Sequence, residues 1–141
     1  MEMTNYTVKR YSYLPKELLE LRESVFLGEQ GFMVERDDID DTAEHIGLYF
    51  GDRLVGVCRV YECDGYVVGR IALDKQYRGK GLGGRLLSIA EKVAKDKGGT
   101  SIRLHAQTRA VGFYQKYGYE AYGDIEYEEW CEHIWMKKAL L

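Results

Sequence analysis

A glycine-rich turn placed between a strand and a helix constrains this chain more than any other feature. The apolar run Tyr66-Val67-Val68-Gly69-Arg70-Ile71-Ala72-Leu73 reads as a buried strand. Gln76-Tyr77-Arg78-Gly79-Lys80-Gly81-Leu82-Gly83-Gly84-Arg85 follows it. A helical pattern then continues to about Lys97, burying Leu82, Leu86, Ile89, Ala90, Val93 and Ala94 and stopping at Gly98-Gly99. The first turn of a helix has backbone N–H groups without intrahelical partners, and the helix dipole adds partial positive charge there. Glycine lets the backbone approach a ligand closely. Together these make a phosphate cradle. From Arg70 to Arg85 there are five basic residues and one acid, Asp74, in a chain whose net charge is −3. A turn with merely solvated charges is the bland alternative.

The 141 residues suit one domain over 1–141. The negative balance argues against general nucleic-acid binding. No apolar run approaches the roughly 20 residues of a membrane span. Met1-Glu2-Met3-Thr4-Asn5 lacks the basic-then-apolar order of a signal peptide. Cys58, Cys63 and Cys131 are odd in number and lack metal-type spacing, which fits reduced thiols in the cytoplasm and predicts no metal site.

In chain order, Tyr6 to Tyr13 reads as a strand. Pro15 opens a helix with Leu14, Leu18, Leu21 and Val25 on its apolar face, ending near Gly28. His45 to Phe50 and Arg53 to Tyr61 form a hairpin about Gly51-Asp52, and Asp64-Gly65 turns the chain into Tyr66 to Leu73. After the long helix, on whose outer face Glu91 and Lys95 can pair, Ile102, Leu104 and Ala106 alternate with Arg103 and His105. This strand should run parallel to the one before the helix. A short helix from about Arg109 to Tyr117 precedes two final strands, joined by an acidic hairpin containing Asp124, Glu126, Glu128, Glu129 and Glu132. The expected class is mixed α+β: an antiparallel meander plus a parallel crossover, flanked by helices.

Gly79-Lys80-Gly81-Leu82-Gly83-Gly84 also fits the dinucleotide pattern G-x-G-x-x-G. That pattern needs an acid about 20 residues on to hold the ribose. The next strand ends Leu104-His105-Ala106-Gln107-Thr108, with no acid. The other template fits better. Gln76 to Gly81 matches the Q/R-x-x-G-x-G/A loop of GNAT-type N-acetyltransferases, and the chain most resembles their small bacterial ElaA/YjcF-like members. Ala106-Gln107-Thr108-Arg109-Ala110-Val111-Gly112-Phe113-Tyr114 resembles the family's N-x-x-A-x-x-F-Y segment, with Gln107 where Asn is frequent. Val25-Phe26, Glu29-Gln30, Ala43-Glu44-His45-Ile46 and His133-Ile134-Trp135-Met136 extend the likeness in order. The subgroup's Gly-x-Pro before the late histidine is absent, and Trp130 and Cys131 stand in that hairpin.

The resemblance implies a GNAT fold and acetyl transfer from acetyl-CoA to a primary amine by direct attack. It implies acetyl-CoA contacts from Ile71, Ala72, Leu73, Gln76, Arg78, Gly79, Lys80, Gly81, Leu82, Gly83, Gly84, Arg85, Gln107 and Tyr114. It gives Tyr114 the general-acid role and a backbone N–H near Leu73 the oxyanion role. The general base is not fixed: Glu29 and His45 are favoured over Glu44, His105, His133 or a water held by backbone. Glu29 to Glu44 holds seven acids and one base, and Glu120 to Glu132 is also acidic. These runs are either solvated surface or a field favouring a cationic acceptor. A non-catalytic acyl-CoA-binding module is the alternative function, and a homodimer is left open.

Overall fold

The structure is a computed structural model and describes residues 5–141. The stretch read above for a leader lies outside them apart from Asn5. Seven strands form one sheet in the order β1-β2-β3-β4-β5-β7-β6. They are β1 (Tyr6–Tyr11), β2 (Glu44–Phe50), β3 (Arg53–Glu62), β4 (Tyr66–Leu73), β5 (Ser101–Gln107), β6 (Glu120–Glu128) and β7 (Cys131–Ala139). The helices are α1 (Lys16–Glu23), α2 (Leu82–Asp96) and α3 (Val111–Lys116). The expected mixed class holds: β4 and β5 are parallel and every other pair is antiparallel.

Leu82, Leu86, Leu87, Ala90, Val93 and Ala94 of α2 are buried against one face of the sheet, with Ile46, Cys58, Val68, Leu104 and Met136. On the other face Leu18 of α1 and Val25 pack with Val57 of β3 and Ala72 of β4. The helices therefore cover opposite faces, and α1 sits on the β3–β4 half.

Several local expectations change. β1 stops at Tyr11, because the chain must turn toward Pro15, whose extended backbone caps α1. The first helix becomes a wide π-helical turn over Ser24–Glu29, closed by Gln30 N–H on the Val25 carbonyl at 3.0 Å. Such turns widen a helix at sites where a side chain must be re-aimed. Asp124, Glu126 and Glu128 lie within β6 rather than in its turn, which is Glu129-Trp130. Glu91 takes the Tyr119 hydroxyl at 2.9 Å and Lys138 at 3.0 Å rather than the expected Lys95.

Candidate active site

The parallel pair is short. β4 and β5 are in register only at Tyr66–Ile102 and Val67–Arg103. Beyond Val67 they diverge. β4 also carries one extra residue opposite β3, where pairing jumps from Val57–Ala72 to Arg59–Gly69. Arg70 sits in that bulge with φ +51°, a strained left-handed value for a non-glycine residue.

The direction of the Leu73 N–H follows from the ladder. Asp74 N–H donates to the Val55 carbonyl at 2.8 Å, so this opposed pair is hydrogen-bonded. Opposed pairs alternate, and the next, Leu73–Gly56, turns the Leu73 N–H and C=O away from β3 into the gap. Arg78 confirms the side by donating to the Leu73 carbonyl from Nη2 at 2.9 Å and Nε at 3.2 Å.

Two concavities meet at the gap. A groove of about 620 Å³ is lined by Ile71, Leu73, Gly79, Gly81 and Gly83, with Phe113 and Tyr117 across from them. A cleft of about 450 Å³ on the β5–β7 side is lined by Arg70, His105, Gln107, Tyr114, Glu128 and His133. Gln30 and Ile71 border both.

The groove fits a phosphate. Gly79 and Gly81 have φ of +77° and +81°, and a Cβ on either would meet nothing within 4 Å. Open space thus lies beside a loop whose backbone only glycine adopts freely. The N–H groups of Leu82, Gly83 and Gly84 begin α2, and the Arg85 N–H is the first taken up, by the Gly81 carbonyl at 3.3 Å. Gly83 and Gly84 serve packing as well. A Cβ there would stand 2.9 Å from Phe113 and 2.4 Å from Tyr117, so their bareness lets α3 close on α2.

Some predicted groove side chains are engaged elsewhere. Gln76 Oε1 accepts from Arg53 at 3.1 Å. Arg85 lies over the Tyr6 ring at 5.9 Å, toward β1. Lys80 is exposed. Arg78 makes a two-pronged ion pair with Glu29 at 2.8 and 3.0 Å. Glu29, one of the two favoured bases, is therefore held by a cation at the loop.

His45, the other, is fully buried and is not part of the cleft wall. Its Nε2–H donates to the Asp40 carbonyl at 2.9 Å, and burial lowers its pKa. It belongs to a closed charge ring that the acidic stretch builds with three arginines. Arg22 binds Glu35 and, at 2.8 Å, Asp40. Arg59 binds Asp40 at 2.8 Å and Asp37 at 2.6 Å. Arg70 binds Asp37 at 3.2 Å and Glu35 at 3.3 Å, closing the circuit. Burial raises the pKa of Asp40, but hydrogen bonds from Arg22 and Arg59 outweigh it and hold this carboxyl far below the usual range. Glu35, Asp37 and Asp40 are thus paired inside the fold, which corrects the solvated reading for these three, whereas Asp38 and Asp41 stay exposed as that reading expects.

Tyr114 lines the cleft, partly buried, and its hydroxyl has no hydrogen-bond partner among the described residues. Burial pushes its pKa up to about 12. Gln107 is held at both ends: its amide nitrogen donates to Gln30 at 2.8 Å and its oxygen accepts from Arg109 at 2.7 Å. Opposite stands a cluster whose geometry the sequence left open. His105 Nδ1 bonds the Glu128 carboxylate, and His133 Nδ1–H donates to the Cys131 carbonyl at 3.0 Å. The hydrogen bond from His105 lowers the Glu128 pKa. At the mouth, Phe32 packs on Trp130 at 5.5 Å, and Glu129 accepts from the Met33 and Val34 N–H groups.

The three cysteines are unpaired, and burial raises the Cys58 thiol to about 12, unsuited to a nucleophile. No group of metal-ligating residues occurs among the described residues. No described helix is long and apolar enough to cross a membrane.

The comparisons agree with this geometry. The family described as Acetyltransferase (GNAT) domain matches residues 25–140. The uncharacterized N-acetyltransferase YjcF of Bacillus subtilis (strain 168) is 37% identical over 127 residues, covering 87% of this chain and 91% of its own. The crystal structure of Escherichia coli ElaA superposes with a TM-score of 0.81 at 27% identity, covering 94% of this chain and 97% of its own. An acyl-CoA N-acyltransferase from Pseudomonas aeruginosa gives 0.83 at 28% identity, with 95% and 98% covered. With its diverging parallel strands and its glycine loop opening α2, the chain belongs to the GNAT acetyltransferase family, in the ElaA/YjcF-like subgroup.

Proposed function

We propose that the protein transfers the acetyl group of acetyl-CoA to a primary amine by direct attack. The observation that carries this is the gap between β4 and β5, which the Leu73 N–H and the Tyr114 side chain both face with the glycine cradle at one end. The name of the Pseudomonas aeruginosa neighbour supports an acyl-CoA donor.

In this reading the loop and the first N–H groups of α2 bind the donor's pyrophosphate, and Ile71, Ala72 and Leu73 flank its acyl arm. The Leu73 N–H stabilises the oxyanion as the amine adds, a donation worth about 3 kcal/mol. Collapse breaks the C–S bond, and the thiolate takes the Tyr114 proton. A phenol near 12 is a weaker acid than a thiol near 8.5, so that transfer is uphill alone. It is balanced by a proton shed from the new C–N nitrogen, which returns to the phenolate. The net products are the amide and CoA as its free thiol, with one proton released as well where the amine enters as an ammonium.

Glu126 and Glu128 leave negative charge on the acceptor side after Glu35, Asp37 and Asp40 are paired with arginines, which favours a cationic acceptor. Unpaired cysteines fit the cytoplasm.

The test pairs Tyr114→Phe with a thermal-shift titration. Acetyl-CoA and CoA, but not NAD, should raise the melting temperature of both proteins. A ligand at 100 times its dissociation constant adds about 2.7 kcal/mol. In the variant, thiol release should fall about 10²-fold or more. An unchanged rate would remove Tyr114 from the chemistry, and no shift with either CoA species would remove the donor.

A further inference from the structure

The sequence singles out Trp130, and the roles above leave it unused. Its side chain is 55% exposed. Other large apolar side chains lie in the open around it. Met33 is 85% exposed, and Val34 follows it. Both are held at the β6–β7 turn, because the Glu129 carboxylate accepts from their N–H groups at 2.9 and 3.1 Å. Tyr127, also exposed, shares a recess of about 350 Å³ with Trp130. A contiguous apolar patch left in water marks a place where something binds.

This patch is continuous with the cleft. Phe26 and His133 line the cleft. The Phe32 ring packs on both, at 6.4 Å between centroids in each case, and on Trp130 at 5.5 Å. Rings in contact therefore run from the cleft wall at Phe26 and His133, through Phe32, to the surface at Trp130. Local structure fixes the run. Phe26 sits in the π-helical turn, and the Phe32 N–H donates back to its carbonyl at 2.9 Å. Charge narrows what can lie there. Four acids of the last two strands and their turn, Glu126, Glu128, Glu129 and Glu132, stand around the rings, and Arg109 is the cation lining the outer recess. A stable protein partner needs about 800 Å² per side, whereas rings flanked by carboxylates offer a strip. The strip suits a small ligand that is cationic at one end and apolar at the other.

We propose that Phe32 and Trp130 select the acceptor, and that the acceptor is an arylalkyl primary amine. Its amine enters the cleft, and its ring lies against Phe32 and Trp130. The proposal rests on the acetyl-transfer reading and deepens it by naming the acceptor's apolar arm. Aromatic rings attract one another in offset or edge-on contact beyond the area they bury, so an aryl arm is favoured over a polyamine chain.

The test compares phenethylamine with ethylamine, which differ by one phenyl group, and with spermidine. Thiol release from acetyl-CoA should give a kcat/KM about 10-fold or more higher for phenethylamine than for either. That comparison needs no variant to fold. Trp130→Ala should shrink the ratio of phenethylamine to ethylamine about 10-fold, through KM rather than kcat, and Trp130→Phe should keep most of it. Phe32→Leu should shrink it too. A packing role alone does not sort two amines. Binding is read separately: with CoA present, phenethylamine should quench tryptophan fluorescence to saturation, and Trp130→Phe should remove that signal. Sedimentation should give the same oligomeric state for the unmodified protein and Trp130→Ala. Equal kcat/KM for the three amines, or a preference for spermidine, overturns the proposal and leaves acetyl transfer standing. A change of oligomeric state in Trp130→Ala also overturns it, because the rings are then a contact between copies. Saturable quenching with no amine acetylated supports the aryl site and overturns the acetyl-transfer reading.

Discussion

The glycine loop and the acidic loop are both charge-rich turns, and they use their charge in opposite ways. In the loop from Gln76 to Arg85, the groups offered to a ligand are backbone N–H groups, and several neighbouring cations are occupied or turned aside. In the loop from Glu35 to Asp41, Glu35, Asp37 and Asp40 are matched to Arg22, Arg59 and Arg70, while Arg36, Asp38 and Asp41 stay exposed. The first loop keeps its capacity free for a ligand. The second spends it on holding the β4 bulge and the cleft wall. A local run of one sign therefore says little about function until its partners are known.

The strongest way to break the contrast is to remove one acid of the ring. Asp40 is buried between Arg22 and Arg59. Asp40→Ala leaves two buried guanidinium groups short of a partner and should cost about 3–5 kcal/mol, read by chemical denaturation. A loss below about 1 kcal/mol would mean that the ring is not tightly desolvated.

Next come the glycines. Gly84→Ala drives a Cβ to within 2.4 Å of the Tyr117 ring. It should lower stability by about 1–3 kcal/mol through overpacking. Gly79→Ala meets open space but holds φ at +77°, so its stability cost should be about 1–2 kcal/mol. Its larger effect should be on CoA affinity, measured by calorimetry, because the new methyl group enters the space beside the cradle. Equal CoA affinity in Gly79→Ala and the unmodified protein would mean that the phosphates lie elsewhere.

The smallest effect sharpens the contrast through pH. His45 has a lowered pKa in the fold, so the unfolded chain binds its proton first. Its contribution to stability is present above the unfolded value near 6.5 and declines as pH falls below it. Asp40, also depressed, adds a second loss below about pH 4. Melting temperature should fall in two stages on acidification. His45→Gln should remove the upper stage alone. A single stage in the unmodified protein would separate His45 from the ring.

Much of the fold was legible because its signals are local. Strand alternation, the turns at Gly51-Asp52 and Asp64-Gly65, the apolar stripe of α2 and its glycine entrance each depend on residues close in sequence. The Tyr114 side chain and the Leu73 N–H came from the family likeness, and both face the gap between β4 and β5. The arginine ring was harder to read, although it left traces. Arg22 lies four residues after Leu18 on the buried face of α1, and Arg59 and Arg70 interrupt apolar strands. A cation on an apolar face needs a buried anion, but which anion is a question of distance across the sheet. Glu128 was likewise visible only as one acid among several near the last turn.

The sequence by itself determined the element order, the parallel step from β4 to β5 and the cradle that opens α2, because periodicity, glycine and unpaired helix N–H groups are properties of adjacent residues. Only the tertiary structure decided which charges are cancelled and which ring nitrogen of His105 carries the proton. Arg22, Glu35, Asp40, Arg59 and Arg70 are brought together from α1, a loop and two strands. His105 receives its tautomer from Glu128 on another strand. Electrostatic energy depends on separation and burial, and neither is written in the order of the residues.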